Sequence, residues 1–235
     1  MRERILVETY NVKEVNKLVY KLLKRPKTEV PGLAVVYGPT GFGKTRWSEM
    51  TAFRNGWGYM RISRLQREKA FVQEIYRRLH WLIYGEEFVM KGTAFKIEEM
   101  CIKLLQENPE IVLFIDEINH KIHKREWDIL EVIRDLTDRS FASIVMIGEQ
   151  DTVDALNNYN PHFFGRCNFF FKFEKNTLED VKRICKEVAE VPLDHKIIEE
   201  IYKETDGDLR KFVSYIPELE NTIIRGSNAS EKKVN

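Results

Sequence analysis

The chain has 235 residues, 43% of them hydrophobic, which suits one large domain or one domain with a smaller companion. Its 38 lysine and arginine residues nearly balance 37 aspartate and glutamate residues, leaving a formal net charge of +1. This balance excludes a chain that is basic throughout, so any contact with nucleic acid must come from a local patch.

The termini and the cysteines carry few special signals. The N-terminal segment MRERILVETYNV lacks the apolar stretch of a signal peptide, and no run approaches the roughly 18 apolar residues of a membrane span. Three cysteines, Cys101, Cys167 and Cys185, stand far apart without a CxxC pair, which fits neither a disulfide framework nor a zinc ribbon. We expect a cytoplasmic protein with reduced cysteines and no membrane partner.

Five short apolar runs predict the strands of one sheet. They are LAVVY (33–37), GYMRI (58–62), IVLFI (111–115), SIVMI (143–147) and NFFFKF (168–173). Such runs are typical of strands buried on both faces. Helical periods fill the intervals, as in residues 67–84 and 125–139. The alternation predicts an α/β fold with a five-stranded parallel sheet flanked by helices.

After Phe173 the pattern becomes purely helical. TLEDVKRICKEVAE opens with Thr177 as a cap, LDHKIIEEIYKET follows, and GDLRKFVSYI is interrupted by Pro217. We therefore expect a core over residues 1–173, a small helical lid over 174–225 and a flexible polar tail over 226–235.

GPTGFGKT, residues 38–45, matches G-x-x-x-x-G-K-[ST] directly after a predicted strand. Glycines let backbone N–H groups turn inward around phosphate oxygens, Lys44 reaches the β- and γ-phosphates, and the Thr45 hydroxyl is placed to bind Mg²⁺. The predicted cofactors are therefore ATP and Mg²⁺. The predicted nucleotide-binding residues of this segment are Gly38, Pro39, Thr40, Gly41, Phe42, Gly43, Lys44, Thr45 and Arg46.

A second motif, IVLFIDEI, ends a predicted strand in Asp116 and Glu117. An acidic pair at a strand end is by itself more often a cap or a solvated turn, but a P-loop upstream reverses that balance. We expect this strand beside the P-loop strand, with Asp116 in the Mg²⁺ shell and Glu117 polarising the attacking water. The two motifs together predict an ATP hydrolase.

With the helical lid, these motifs resemble the AAA+ ATPases over most of the chain, from Val7 to Arg225. The resemblance implies a polar sensor residue after the strand SIVMI. Glu149 or Gln150 stands where the family usually has Asn, Thr or Ser, and Gln150 is assigned to the nucleotide site.

Two arginines also match family motifs. Arg166 in FFGR takes the place of an arginine finger, with Arg139 as a weaker rival, and Arg210 in GDLRKF resembles the sensor 2 arginine, which implies contact with the nucleotide. An arginine finger reaches the ATP of a neighbouring subunit, so the resemblance implies a homo-oligomer, either a ring or a helical filament.

Within AAA+, the layout most resembles the small transposition ATPases of the MuB and TnsC type, through VETYNV, GPTGFGKT, FIDEI, LEVIRDL, IVMIG, FFGR and TDGDLRKF. The resemblance implies assembly on double-stranded DNA without sequence preference, delivery or activation of a transposase at target DNA, and slow regulatory hydrolysis. In AAA+ proteins loops between strands two and three face a central pore. The basic residues predicted to contact DNA there are Arg61, Arg64, Arg67, Lys69, Lys91 and Lys96.

Other interpretations stay open. The basic residues also fit a solvated helix face, because Glu68 and Glu74 dilute their charge. A replication initiator or helicase loader shares the same motifs. A protein-remodelling or signalling AAA+ ATPase that ignores DNA is consistent with the neutral net charge.

His120 and His123 form an H-x-x-H pair just after the acidic motif. No third ligand lies nearby in sequence, so we expect no metal at this pair. With Lys121, Lys124 and Arg125 beside them, these residues predict a basic surface loop.

Overall fold

The computed structural model describes residues 1–2 and 5–231, and its main element is a parallel sheet of five strands. The strands are β1 Leu33–Tyr37, β2 Gly58–Arg61, β3 Val112–Asp116, β4 Ser143–Ile147 and β5 Cys167–Lys172. Their order is β2-β3-β4-β1-β5, and every neighbouring pair is parallel. Each strand lies within a residue of its expected bounds, so the predicted fold class is confirmed.

Within the described residues, eight helices come before β1 or between the strands. They are α1 Tyr10–Lys24, α2 Lys44–Asn55, α3 Glu68–Tyr84, α4 Ala94–Glu107, α5 Asn119–His123, α6 Trp127–Ser140, α7 Thr152–Tyr159 and α8 Pro161–Phe164. The helical periods at 67–84 and 125–139 correspond to α3 and α6. α3 stops at Gly85, which adopts a left-handed φ of 78° and donates its N–H to Trp81 O at 2.9 Å.

How deeply each strand is buried depends on its position in the sheet. β3 and β4 are buried along their whole length, as the apolar runs predict. β5 differs, since Asn168 is exposed and Phe170 is 37% exposed. The prediction that every strand is buried on both faces is therefore wrong for β5, and also for the end of β2, where Arg61 is exposed. These two strands form the edges of the sheet, and each has a single neighbouring strand.

The described chain divides into two compact units. The sheet unit consists of residues 15–38 and 44–172. The second unit consists of residues 1–14 and 39–43 and of the chain from Phe173 onward. The sequence does not predict that the first residues and part of the P-loop group with the C-terminal helices. The expected domain boundaries stay a prediction.

The second unit contains α9 Leu178–Val188, α10 His195–Thr205 and α11 Leu209–Glu231. Thr177 caps α9 in a reciprocal capping box with Asp180, as its place in the sequence predicts. Pro217 lies inside α11, so the expected interruption there is wrong. A proline removes one backbone hydrogen bond, but the buried stripe through Ile216 and Glu220 continues across it.

α11 reaches Glu231, which lies within the segment expected to be a tail, and residues 232–235 of that segment lie outside the described residues. None of the helices in the described part of the chain is both long enough and apolar enough to cross a bilayer. Cys101, Cys167 and Cys185 are buried and free of disulfides, and burial raises the pKa of the Cys185 thiol to about 11.

Candidate nucleotide site and basic loop

The P-loop connects the end of β1 with the start of α2. Its glycines Gly38, Gly41 and Gly43 have φ values of 143°, 89° and 98°, which side chains rarely allow. A Cβ atom built at Gly41 would lie 2.1 Å from Oδ1 of Asp208, within the second unit. The loop therefore has the left-handed backbone that a phosphate cradle requires, at positions where glycine is the residue that fits.

Lys44 and Thr45 open α2, the helix whose N-terminus follows the loop. The Lys44 Nζ atom donates a hydrogen bond to Gly38 O at 2.7 Å, so the side chain folds back toward the start of the loop. The Thr45 Oγ1 atom donates to Oδ2 of Asp116 at 2.8 Å. The threonine of the first motif thus contacts the first acid of the second motif.

The strand order corrects one expectation about this site. β4 lies between β1 and β3, so the prediction that the acidic strand neighbours the P-loop strand is wrong. Asp116 still reaches Thr45 because the carboxyl ends of parallel strands meet at one edge of a sheet. The loop after β4 begins at the same edge and presents Glu149 and Gln150, which are exposed. The sensor role of Gln150 stays a prediction.

Asp116 is 3% exposed and accepts three hydrogen bonds. The donors are the Thr45 hydroxyl, the Tyr59 hydroxyl at 3.1 Å and the Glu117 N–H at 2.9 Å. Burial raises the pKa of Asp116 above its ordinary value, and the hydrogen bonds from Thr45 and Glu117 oppose that rise. A carboxylate beside a hydroxyl is an oxygen donor set of the kind that Mg²⁺ prefers, so these residues fit that ion.

Tyr59 is a site residue that the sequence analysis missed. It lies in β2, opposite Phe114 of β3, and burial together with the charge of Asp116 raises its pKa. Its hydroxyl therefore stays protonated and remains a donor to Asp116. The one signal in the sequence was a polar tip in the strand GYMRI, which we interpreted only as an apolar run.

Glu117 has an unusual backbone and a basic partner. Its φ of 63° is uncommon for a residue with a side chain. Arg61 Nη2 lies 2.6 Å from Glu117 Oε1, and His120 Nε2 lies 3.6 Å from Glu117 Oε2. The predicted catalytic carboxylate is therefore paired with Arg61, which the sequence analysis had assigned to DNA.

The six basic residues predicted to contact DNA are all exposed. Within the described part of the chain, Arg61 alone among them has a side-chain ion pair. The other members, Arg64, Arg67, Lys69, Lys91 and Lys96, have none there. The first three of these precede or open α3, and the last two lie around the start of α4. Their side chains are open to solvent anions, and contact with DNA stays a prediction.

The candidates for the arginine finger both have acidic partners in their own chain. Arg166 forms an ion pair with Asp138 of α6, and Arg139 Nη1 lies 2.5 Å from Oε1 of Glu99. Each arginine is 44% exposed at its side chain. Solvent screens exposed pairs of this kind, so neither arginine is firmly held.

Arg210 opens α11 in the second unit. Its N–H donates to Gly41 O at 3.3 Å and also to Oδ1 of Asp208 at 2.9 Å. The guanidinium group is exposed, and no ion pair to it occurs among residues 1–2 and 5–231. The backbone of the predicted sensor 2 residue therefore contacts the P-loop, and its side-chain role stays a prediction.

Lys121 contradicts the expected basic surface loop. Its side chain is completely buried, whereas Lys124 and His123 beside it are partly exposed. The Lys121 Nζ atom donates to backbone carbonyls at Arg64 and Gln66. The prediction fails because the covering residues lie far away in sequence.

Comparison with known proteins identifies one matching family and several proteins of similar fold. The model of the family described as bacterial TniB protein matches residues 1–166. The ATPase WRNIP1 of Dictyostelium discoideum is 26% identical over 208 residues, which is 85% of this chain but 20% of that protein. The chain thus spans about a fifth of the length of this relative.

Two solved structures of Aeropyrum pernix proteins share the architecture. The ORC2 protein, in its ADPNP–ADP complexes, matches with a TM-score of 0.70 at 13% identity, over 94% of this chain and 67% of that one. The ORC1 protein in complex with DNA matches with a TM-score of 0.58 at 16% identity, over 89% of this chain and 59% of that one. At such identities the likeness shows the fold, and it agrees with the predicted P-loop AAA+ class.

Proposed function

The chain belongs to the family of bacterial TniB proteins, and on that premise we propose that it is an ATP-dependent DNA-binding AAA+ ATPase that regulates transposition. In this proposal it oligomerises on double-stranded DNA, as a ring or a helical filament, without sequence preference. The assembly recruits or activates a transposase at target DNA. Because its proposed partners are DNA and a transposase, we expect the protein to act in the cytoplasm.

The observation that carries the proposal is the hydrogen bond between Thr45 and the buried carboxylate of Asp116. This bond joins the end of the P-loop to the acidic motif, which supports the proposal that the two motifs form one nucleotide site. Thr45 and Asp116 would hold Mg²⁺, which neutralises phosphate charge when bound. Lys44 binds the β- and γ-phosphates of ATP, and Glu117 orients the attacking water.

Arginines complete the site in this proposal. Arg210 contacts the nucleotide as sensor 2. Arg166 leaves Asp138 and contacts the ATP held by a neighbouring copy, which is feasible because the exposed pair is weak. ATP is then part of the interface between copies, and hydrolysis loosens that interface. Slow, regulatory turnover fits a protein in which ATP keeps an assembly together.

DNA contact is supported by basic side chains that have no ion pair among the described residues. Arg64, Arg67 and Lys69 are exposed near the start of α3, and Lys91 and Lys96 are exposed near the start of α4. Exposed cations suit contacts with phosphates, which carry no sequence information. The Aeropyrum pernix ORC1 protein, which has a similar fold, has been solved in complex with DNA.

A second candidate is a replication initiator or helicase loader. The likeness to the ORC2 protein over 94% of this chain favours it, since most of the described fold is shared. A protein-remodelling ATPase that ignores DNA is the third candidate, and the net charge of +1 is consistent with it.

Negative-stain electron microscopy tests the proposal. The purified protein is imaged with a non-hydrolysable ATP analogue and Mg²⁺, with and without random-sequence duplex DNA of a few hundred base pairs. We expect coats or rings on DNA that need both nucleotide and DNA, and none with Lys44→Ala. Assemblies that form with nucleotide but ignore DNA contradict the proposal and favour protein remodelling. Addition of a TniB-associated transposase or of a replicative helicase to preformed coats then separates the first two candidates.

A further inference from the structure

Lys121 has an uncommon environment for a lysine, since its side chain has no exposed surface. An ammonium group has three N–H donors, and here each has an acceptor. The Nζ atom lies 2.5 Å from Gln66 O, 3.3 Å from Arg64 O and 2.6 Å from Oε2 of Glu126. Lys121 therefore joins α5 to two backbone carbonyls that lie between β2 and α3.

Those carbonyls belong to the loop of residues 63–67, which we call the basic loop. Lys124 Nζ donates to Arg64 O as well, at 3.0 Å. Inside the basic loop, the Gln66 N–H donates to Ser63 O at 3.0 Å, and Gln66 Oε1 accepts from the Ser63 N–H at 3.2 Å. The loop is thus closed on itself and connected to α5.

Two carbonyls of the basic loop, those of Arg64 and Gln66, accept hydrogen bonds from lysines of the α5 region, and most of its side chains are exposed. Arg64 and Arg67 are exposed and have no ion pair within the described residues. Leu65, between them, is 84% exposed. The two exposed guanidinium groups are therefore accessible to phosphate groups.

Burying an ammonium group is expensive even when it is paired, and apolar replacements of buried charges are often neutral or stabilising. Stability alone therefore explains poorly why a lysine is buried at position 121. A buried polar group that satisfies backbone carbonyls does, however, select one loop conformation over others. The same carbonyls would otherwise be solvated by water in a loop free to adopt many conformations.

We propose that Lys121 is a positioning residue for DNA binding, which holds the basic loop in the conformation that presents Arg64 and Arg67 to phosphates. The inference rests on the proposed function, because it takes duplex DNA as the partner. Lys121 does not touch DNA, since it is buried. Lys121 keeps the basic loop ordered in the free protein, so DNA binding does not bear the entropic cost of ordering it.

The first test compares Lys121→Met with Arg64→Ala in full-length protein, with a fluorescent random-sequence duplex as the probe. Lys121→Met should weaken DNA binding about tenfold, because part of a five-residue loop must then be ordered on binding. The slope of log affinity against log salt should stay as in wild type, since the phosphate contacts still form. Arg64→Ala removes a phosphate contact and should lower that slope by about one.

The second test measures hydrogen exchange in the DNA-free protein. Amides of the basic loop should exchange faster in Lys121→Met than in wild type, with exchange in β3 unchanged. Lys103→Met is the matched control, because it makes the same chemical change at an exposed lysine of α4. Glu126→Gln keeps an acceptor for Lys121 but removes the charge of a partly exposed partner, and should show the same effects at a few-fold level even if Lys121→Met fails to fold.

The outcomes separate clearly. Faster loop exchange with weaker DNA binding at an unchanged salt slope supports the inference. Unchanged loop exchange overturns the idea that Lys121 holds the loop, and faster exchange with wild-type DNA affinity overturns its role in binding. A lowered salt slope in Lys121→Met also overturns it, since Lys121 would then contact phosphate itself. If the wild-type protein does not bind duplex DNA, that result contradicts the proposed function. Hydrogen exchange does not test the proposed function, because it measures only the order of the loop.

Discussion

Replacing Arg61 by glutamine is expected to raise the basal rate of ATP hydrolysis. In the structure the Arg61 guanidinium lies 2.6 Å from the Glu117 carboxylate, whose proposed role is to orient the attacking water. A carboxylate that accepts a hydrogen bond from an arginine is less able to accept one from water. The pair therefore restrains the residue that hydrolysis needs.

The size of the effect follows from the exposure of the pair. The Arg61 side chain is 63% exposed and that of Glu117 is 20% exposed, so solvent screens the attraction. Exposed ion pairs contribute about 0.2–1 kcal/mol. If this whole amount must be lost before Glu117 can act, its removal accelerates turnover by at most about fivefold.

Steady-state phosphate release at saturating ATP and Mg²⁺, without DNA, measures this. Arg64→Gln is the control, because it removes the same charge from a neighbouring residue that has no ion pair among those described. Wild type should also accelerate modestly with added salt, and Arg61→Gln should not. A rate in Arg61→Gln that falls as far as in Glu117→Gln would show that Arg61 supports hydrolysis and refute this reasoning.

Three further outcomes are expected. Tyr59→Phe removes a donor to Asp116 and should weaken Mg²⁺ binding about fivefold in a Mg²⁺ titration of ATPase rate, with unchanged affinity refuting the assignment. Glu117→Gln should trap ATP and stabilise assemblies seen by electron microscopy, and normal turnover would remove that residue from the mechanism. Burial raises the pKa of Asp116, so without Mg²⁺ its ionisation lowers folded-state stability above that pKa, and this loss disappears as pH falls. Because Mg²⁺ needs the ionised form, the Mg²⁺-dependent rise in Tm should shrink over the same fall in pH, and a pH-independent rise would contradict the metal assignment of Asp116.

The sequence predicts the strands well because each is a local apolar run bounded by polar residues. Strand order could not be predicted in the same way, because it depends on which strands pair, and no short segment of sequence determines that pairing. β4 therefore separates β1 from β3 without any sign in IVLFIDEI. The P-loop could be predicted because its chemistry depends on consecutive residues, whose glycines indeed take positive φ values.

Site residues whose role depends on partners distant in sequence could not be predicted. Lys121 stands among two histidines, a lysine and an arginine, a composition typical of a surface, yet the basic loop from far upstream covers it. Tyr59 was hidden for the opposite reason, because a tyrosine in an apolar strand usually contributes its ring to a core. Its hydroxyl becomes part of the site only through the pairing of β2 with β3.

The acidic motif and the basic residues after β2, which the sequence presents as separate functions, form one connected structure. Asp116 O accepts the Ile62 N–H at 2.9 Å, Glu117 pairs with Arg61, and Lys121 binds the basic loop. These three successive ties mean that a polyanion drawing Arg61 or the basic loop outward must also act on the residues beside the predicted Mg²⁺ site. If DNA binding changes the affinity for ATP through them, ATP must change the affinity for DNA by the same factor. Lys121→Met, which loosens one tie and leaves the nucleotide ligands intact, should reduce this common factor, and a factor unchanged from wild type would show that the coupling follows another route.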